Sequence, residues 1–407
     1  MGNNRFYTPD GFTDTVPGIC AFKKQSEAKL RRLFELNGYN EIETTGIEYC
    51  DIYTSTSFVS EESLYKMQDS KGRLLCARYD GTVPAARFAA TIMREEKTPI
   101  RLCYIENMYR YSQIGGGKQS EFTQAGVELL GETGSNSDAE VIALAIRSAL
   151  ELGVKDLQVS VGQVELFNGI VRQFNMEESI VQDLKDAIAA KDSVSIDRVA
   201  GKLGLSKDEH QTLSLLSEST GTYEVVDLFE NRVTDEGASK ALKNLREILN
   251  ILDDYGFLKY VNIDLGLFGS VDYYTGMIFK GFTYEVGFPI ISGGRYDKVV
   301  NVFGRDLEAV GFSLGLSLAI TALMRQGKKC ITGVADAIVG YDNKVEGARS
   351  AAIALAEKLR ASGSIVILDT AEMNESQLDE YADSRRIGAS FYINESNDVS
   401  NECKRNI

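Results

Sequence analysis

The stretch from Arg101 to Gly131 restricts the possible folds more than any other part of the chain. RLCYIENMYRYS and SEFTQAGVELLG each alternate apolar and polar side chains, with Gly115-Gly116-Gly117 between them. A period of two is that of a half-buried strand, and a glycine-rich break between two such runs predicts an antiparallel hairpin. Two strands alone are marginal in water, so this hairpin requires a wider sheet with helices packed on it. Upstream, a helical stretch places Leu30, Leu33 and Phe34 on one face and stops at Asn37-Gly38, after which YNEIETTGIEY reads as extended. Downstream, Ser137-Asp138-Ala139-Glu140 has the form of a capping box, followed by the apolar run VIALAIRSAL and a stop at Gly153.

From about Phe167 to Gly256 the pattern becomes charged and helix-favouring, which predicts a helical insertion. KYVNIDLG, MIFKGFTYEVGF and VGFSLGLSLAITALM then restore strand, strand and helix. The expected core is therefore one antiparallel sheet of six or seven strands, interrupted by the insertion and flanked by helices. Past Lys328-Lys329, strand, helix, strand, helix and strand follow one another over ADAIVGYD to ASFYIN, the grammar of a small parallel α/β domain. With 407 residues the chain exceeds one ordinary core. The expected division is a core over 1–326, with the insertion at about 167–256, and a small domain over 331–407. The fold class is α/β, more closely α+β.

Composition narrows function mainly through charge. The formal net charge is -15, and residues 331–407 alone carry 8 Lys or Arg against 13 Asp or Glu. Binding a polyanion requires Lys and Arg to neutralise phosphates, so nucleic acid is a disfavoured partner. No run approaches the ~20 apolar residues of a membrane span, and MGNNRFYTPD lacks the apolar core of a signal peptide; the expectation is a cytoplasmic protein. Six cysteines, at 20, 50, 76, 103, 330 and 403, stand singly. They read as small reduced core residues, with no metal site implied. The single histidine, His210, lies in the polar run SKDEHQT and reads as a surface residue.

Five segments in order carry a resemblance. They are GYNEIETTGIE (38–48), RYDGTVPAAR (78–87), YRYSQIGGGKQSEFTQAGVE (109–128), DYYTG (272–276) and GGRYDKVVNVFG with GFSLGLSL (293–318). Together they resemble histidyl-tRNA synthetase, a class II aminoacyl-tRNA synthetase, over nearly the whole chain. The resemblance implies an antiparallel class II sheet, a dimer formed through the 38–48 region, where Thr45 replaces a family proline, and a shortened anticodon-binding-like domain at the C-terminus. It also implies an amino-acid pocket. Asp80 (a glutamate in the family), Thr82 and Gln124 would hold the α-ammonium, Glu128 and Tyr274 would face the imidazole, and Arg110 the carboxylate. Tyr273 and the Gly293-Gly294 turn would shape the wall. Each of these taken singly also has a structural reading, as core aromatics or solvent-facing strand residues; their joint spacing favours a pocket.

The same resemblance exposes what is missing. Adenylation needs cations preorganised around the α-phosphate of ATP. Ser112 replaces the motif-two glutamate, and Lys118, Ser120, Gly269 and Leu318 stand where the family carries arginines. Losing one such group costs ~10²–10³-fold in rate, so the loss of several predicts no adenylation. A synthetase-like chain without adenylation residues is similar to the regulatory subunits of ATP phosphoribosyltransferase. That similarity implies a non-catalytic protein with no cofactor, partnered by the short-form catalytic subunit and sensing L-histidine. The alternatives are a divergent histidyl-tRNA synthetase and a tRNA-binding sensor.

Overall fold

Helix α1 (Pro17–Leu36) buries Leu30 and Phe34, as its spacing predicts. The computed structural model describes residues 6–55, 58–111, 119–267, 273–329 and 334–394. After α1 come β1 (Asn40–Glu41), β2 (Ile47–Tyr49), α2 (Asp51–Thr54), β3 (Lys66–Gln68), β4 (Leu74–Ala77) and α3 (Thr82–Thr91). The long hairpin is β5 (Ile100–Tyr109) with β6 (Glu121–Leu130), paired antiparallel from Ile100↔Leu130 to Tyr109↔Glu121. Helix α4 (Ser135–Leu152) and β7 (Gln158–Gln163) lead into six helices. These are α5 (Val164–Gln173), α6 (Glu178–Ala189), α7 (Ser193–Leu203), α8 (Lys207–Glu218), α9 (Tyr223–Glu230) and α10 (Glu236–Asp254), with the short β8 (Thr220–Gly221) before α9. The sheet then resumes with β9 (Val261–Asp264), β10 (Met277–Phe282), β11 (Ile291–Arg295) and β12 (Ala309–Gly315), and α11 (Leu316–Arg325) follows.

The main sheet has nine strands in the order β1-β5-β6-β12-β11-β10-β7-β9-β8. The six from β5 to β7 are antiparallel throughout, as expected. The sheet is wider than expected and mixed, because β1 joins β5 and β9 joins β7 in parallel. A second sheet, β2-β4-β3, is separate. The chain divides into two compact units, Met1–Thr15 with Phe22–Lys329, and Val16–Ala21 with Cys330–Ile407. Within the second, β13 (Ala337–Tyr341), α12 (Ala348–Ala361), β14 (Val366–Leu368), α13 (Glu375–Arg385) and β15 (Ser390–Ile393) form a parallel sheet in the order β14-β13-β15. Among the described residues no helix is long and apolar enough to cross a membrane.

Two local expectations are corrected. The capping box at Ser137–Glu140 does not form: α4 begins at Ser135 behind Gly134, whose φ of 89° makes the turn. Glu140 is taken instead by Arg101 and by the Tyr39 hydroxyl at 3.1 Å. Of the cysteines, Cys50, Cys76 and Cys103 are buried, but Cys20 is exposed, since it sits near the start of α1 off its apolar face. Cys330 and Cys403, like the Gly115–Gly117 loop, lie outside the described residues.

The alternation along β6 creates the site. Ala125, Val127 and Leu129 point to the helical side of the sheet, where Phe34 of α1 meets Phe312 of β12 edge-on at 6.2 Å. Gln124, Gly126 and Glu128 therefore point to the opposite side.

Candidate functional site

A cavity of about 90 Å³ opens over the β6, β11 and β12 strands, walled by Tyr79, Asp80, Thr82, Arg110, Gln124, Tyr273, Tyr274 and Tyr296 and floored by Ser292, Gly293, Gly311 and Ser313. Six of the seven sequence-derived residues thus meet on one wall. The seventh, Glu128, lies behind it, 1% exposed.

Asp80 ends the turn before α3, and its Oδ1 accepts the Val83 N–H at 3.1 Å. Burial lifts its pKa to about 6, against the opposing pull of Arg110. Gln124 is buried and gives its Nε2–H to Ser313 Oγ at 3.3 Å, while its Oε1 finds no partner among the described residues. A buried carbonyl oxygen left unpaired beside a carboxyl group is suited to receive a cationic N–H donor. The Arg110 guanidinium lies 4.5 Å from the Tyr79 ring centre and 5.1 Å from that of Phe122. Its only hydrogen bond among the described residues runs from Nε to Tyr79 O at 3.2 Å. Stacking fixes the plane of the fork and leaves its outer N–H groups for an anionic ligand group.

Thr82 lines the cavity with its hydroxyl already engaged. Its hydroxyl gives its proton to Glu128 Oε1 at 2.8 Å, and the Tyr104 hydroxyl reaches the same oxygen at 3.3 Å. The Tyr296 hydroxyl donates to Oε2. Burial, and secondarily the nearby Asp80, push the Glu128 pKa up to about 8 against these three hydrogen bonds. The carboxyl group fits only because β12 passes it as Gly311, where a Cβ would lie 1.9 Å from Oε2. Tyr273 is 8% exposed and packs edge-on to Tyr296 at 5.9 Å. Tyr274 backs onto Gly294 of β11, and burial raises its hydroxyl pKa.

Sequence reading missed Tyr79, Tyr104 and Tyr296. The signal was present for two of them: Tyr104 faces Gly126 across the hairpin, and Tyr296 follows Gly293-Gly294-Arg295, which lies in strand β11 and not in the expected turn. Arg295, by contrast, points away into a buried pair with Asp138 at 2.7 Å.

Of the positions where the resemblance implies arginines, Ser120 and Leu318 are described. Ser120 is buried and gives its N–H to Gly11 O at 2.8 Å, and a Cβ at Gly11 would lie 2.3 Å from its hydroxyl oxygen. Leu318 is half-buried on α11. Ser112, Lys118, Gly269 and Asp272 lie outside the described residues. Among the described residues no group of three His, Cys, Asp or Glu side chains is placed to hold a metal.

Comparison with known proteins agrees with this architecture. Residues 11–318 match the family model described as histidyl-tRNA synthetase. An ATP phosphoribosyltransferase regulatory subunit from Acetivibrio thermocellus is 40% identical, over 91% of this chain and 88% of that protein. One from Ruminiclostridium cellulolyticum is 37% identical over 100% and 97%. A solved ATP phosphoribosyltransferase regulatory subunit/histidyl-tRNA synthetase from Bacillus halodurans superposes with a TM-score of 0.84 at 30% identity, covering 96% of this chain and 97% of that one. A histidyl-tRNA synthetase from a Nostoc species, at 20% identity and a TM-score of 0.80 over 96% and 92% of the two chains, shares the fold. Identity of 37–40% over nearly the full length of both chains shows that the chain belongs to the family of ATP phosphoribosyltransferase regulatory subunits.

Proposed function

We propose that this chain is the non-catalytic regulatory subunit of a short-form ATP phosphoribosyltransferase, required by the catalytic subunit for the first step of L-histidine biosynthesis, and that it mediates feedback by binding L-histidine in the cavity between Asp80, Gln124 and Arg110. The observation that carries the reading is the lining of the cavity, where Asp80 and Arg110, groups of opposite charge, meet Gln124. Ser120 and Leu318, which stand where the resemblance implies arginines for a nucleotide's developing charge, lie outside that lining. Asp80 and the unpaired Gln124 Oε1 suit the α-ammonium, and the stacked Arg110 suits the α-carboxylate.

Regulation requires histidine to bind two arrangements of the assembly with different affinity, a coupling of ~1–3 kcal/mol in typical cases. The subunit is also proposed to pair with a second copy through the region around 38–48. In support, Ile47, Tyr49 and Met67 lie on one face of the β2-β4-β3 sheet and are 42%, 45% and 40% exposed. An apolar face of this kind marks an association surface. Phosphoribosyl-ATP formation by the purified short catalytic subunit, followed with and without this chain and across a histidine titration, tests the whole reading. Activation by the chain and its reversal by histidine are expected. Histidine-dependent ATP–pyrophosphate exchange by the chain alone would instead establish a synthetase.

A further inference from the structure

Helix α10 ends in a turn that sets three aromatic rings in a row. Gly256, at φ 72°, follows the C-cap Tyr255. Its N–H bonds to Asp253 O at 2.7 Å, and the Phe257 N–H bonds to Leu252 O at 2.8 Å. This double closure fixes the backbone on both sides of the glycine. The Tyr255 and Phe257 rings stack 6.3 Å apart at 11°, and the Tyr260 ring lies 6.1 Å from that of Phe257. Arg147 of α4 holds its guanidinium 5.5 Å from both the Tyr255 and the Phe257 ring centres, and the Lys259 ammonium stands 5.1 Å from that of Tyr260.

Resting on the regulatory-subunit reading above, we propose that this aromatic shelf, with Arg147 at its centre, is a docking surface for the catalytic subunit, which meets it with an acidic patch that places a carboxylate on the Arg147 fork.

The unused donors are the first support. A guanidinium has five N–H donors, and the Arg147 side chain gives none of them to a hydrogen bond or ion pair among the described residues. The acids around it do not neutralise it. Glu151, one turn further along α4, pairs with Lys29 at 3.6 Å, and Asp253 and Asp254, exposed at the end of α10, pair with neither cation. In a chain of net charge -15, two cations left open side by side on a rigid turn are suited to an anionic partner. The rings supply the second support. Tyr255 is 39% exposed, and tyrosine with arginine is the composition of interface anchors. Stacking orients the guanidinium plane, so a carboxylate can be received by two parallel N–H groups. The same net charge makes a nucleic acid a poor occupant. Self-association has its own face on β2-β4-β3, so this second surface falls to the other protein that a regulatory subunit must touch.

The test measures association of the full-length chain with the purified short-form catalytic subunit at low and high salt. Wild-type affinity is expected to fall with salt. Arg147→Ala should weaken association about tenfold or more and make the salt dependence shallower, and Arg147→Glu should weaken it further. Arg147→Lys should restore only part, since an ammonium lacks the fork. Tyr255→Phe should bind as the wild type does, whereas Tyr255→Ala should not, because the ring and not its hydroxyl makes the shelf. Lys259→Glu changes an exposed side chain and leaves the turn intact, so its loss of affinity reports charge and not folding. Carbodiimide coupling should join Lys259 to an Asp or Glu of the catalytic subunit. Wild-type affinity and salt dependence in both Arg147→Glu and Lys259→Glu would overturn the proposal, as would coupling of Lys259 only to a second copy of this chain. Failure of the wild type to assemble with the catalytic subunit at any salt would instead overturn the regulatory-subunit reading, and this surface with it.

Discussion

Two buried carboxyl groups, Asp80 in the cavity lining and Glu128 behind it, make the ligand-free protein sensitive to pH. Asp80 and Glu128 are held near 6 and 8, above their ordinary values of 3.8 and 4.5. Folding therefore raises their proton affinity. Their favourable contribution is complete below about pH 4, where both are protonated folded or unfolded, and is lost as pH rises through the folded values. The melting temperature of the ligand-free protein should fall between pH 5 and 8, and Glu128→Gln should flatten that slope; an equal slope in the variant would show that Glu128 does not titrate there. Gly311→Ala should destabilise by about 1–3 kcal/mol in urea unfolding, because its Cβ has no space beside Glu128 Oε2. Gln124→Leu should weaken histidine binding roughly tenfold in calorimetry by removing one charge-assisted acceptor while leaving assembly intact. At this scale the residue identities were legible in sequence, whereas the hydrogen bond that joins Thr82 to Glu128 was not, because it links residues 46 positions apart.

The same distinction between pattern and partner governs the elements. Ser206 and Glu209 form a reciprocal capping box at α8, and Asn374 and Gln377 do so at α13. Ser137 and Glu140 have the same spacing and do not, because a nearby arginine and tyrosine claim the glutamate. Ser206→Ala should cost about 1 kcal/mol. Ser137 instead accepts from Arg295 at 2.9 Å and helps fix β11 to the first turn of α4. Arg295→Ala should destabilise by about 3–5 kcal/mol, since it leaves Asp138 buried and without its cation. Thermal or urea unfolding would register this directly, and a loss below about 1 kcal/mol would mean that Asn244, 3.3 Å from Asp138, suffices. The long strands were recoverable from their period of two. The two-residue strands β1 and β8 carry too few residues for any period and exist only because a neighbour offers an edge.

For the whole molecule, the exposed face of Ile47, Tyr49 and Met67 leads to a prediction about assembly. Tyr49→Asp should shift the protein toward monomer in sedimentation, and an unchanged distribution would place the seam elsewhere. The sequence by itself determined the alternation that builds the central hairpin, the helical character of the insertion, the acidic balance and the identity of the charged and aromatic groups, because these depend on local period and composition. Only the tertiary structure decided which strands became neighbours across the insertion, that Tyr104 and Tyr296 stand behind and beside Glu128, and that Arg295 turns from the cavity to Asp138. These depend on contacts between residues far apart in the chain, 168 positions for Tyr296 and Glu128 and 189 for Gln124 and Ser313, which no local pattern encodes.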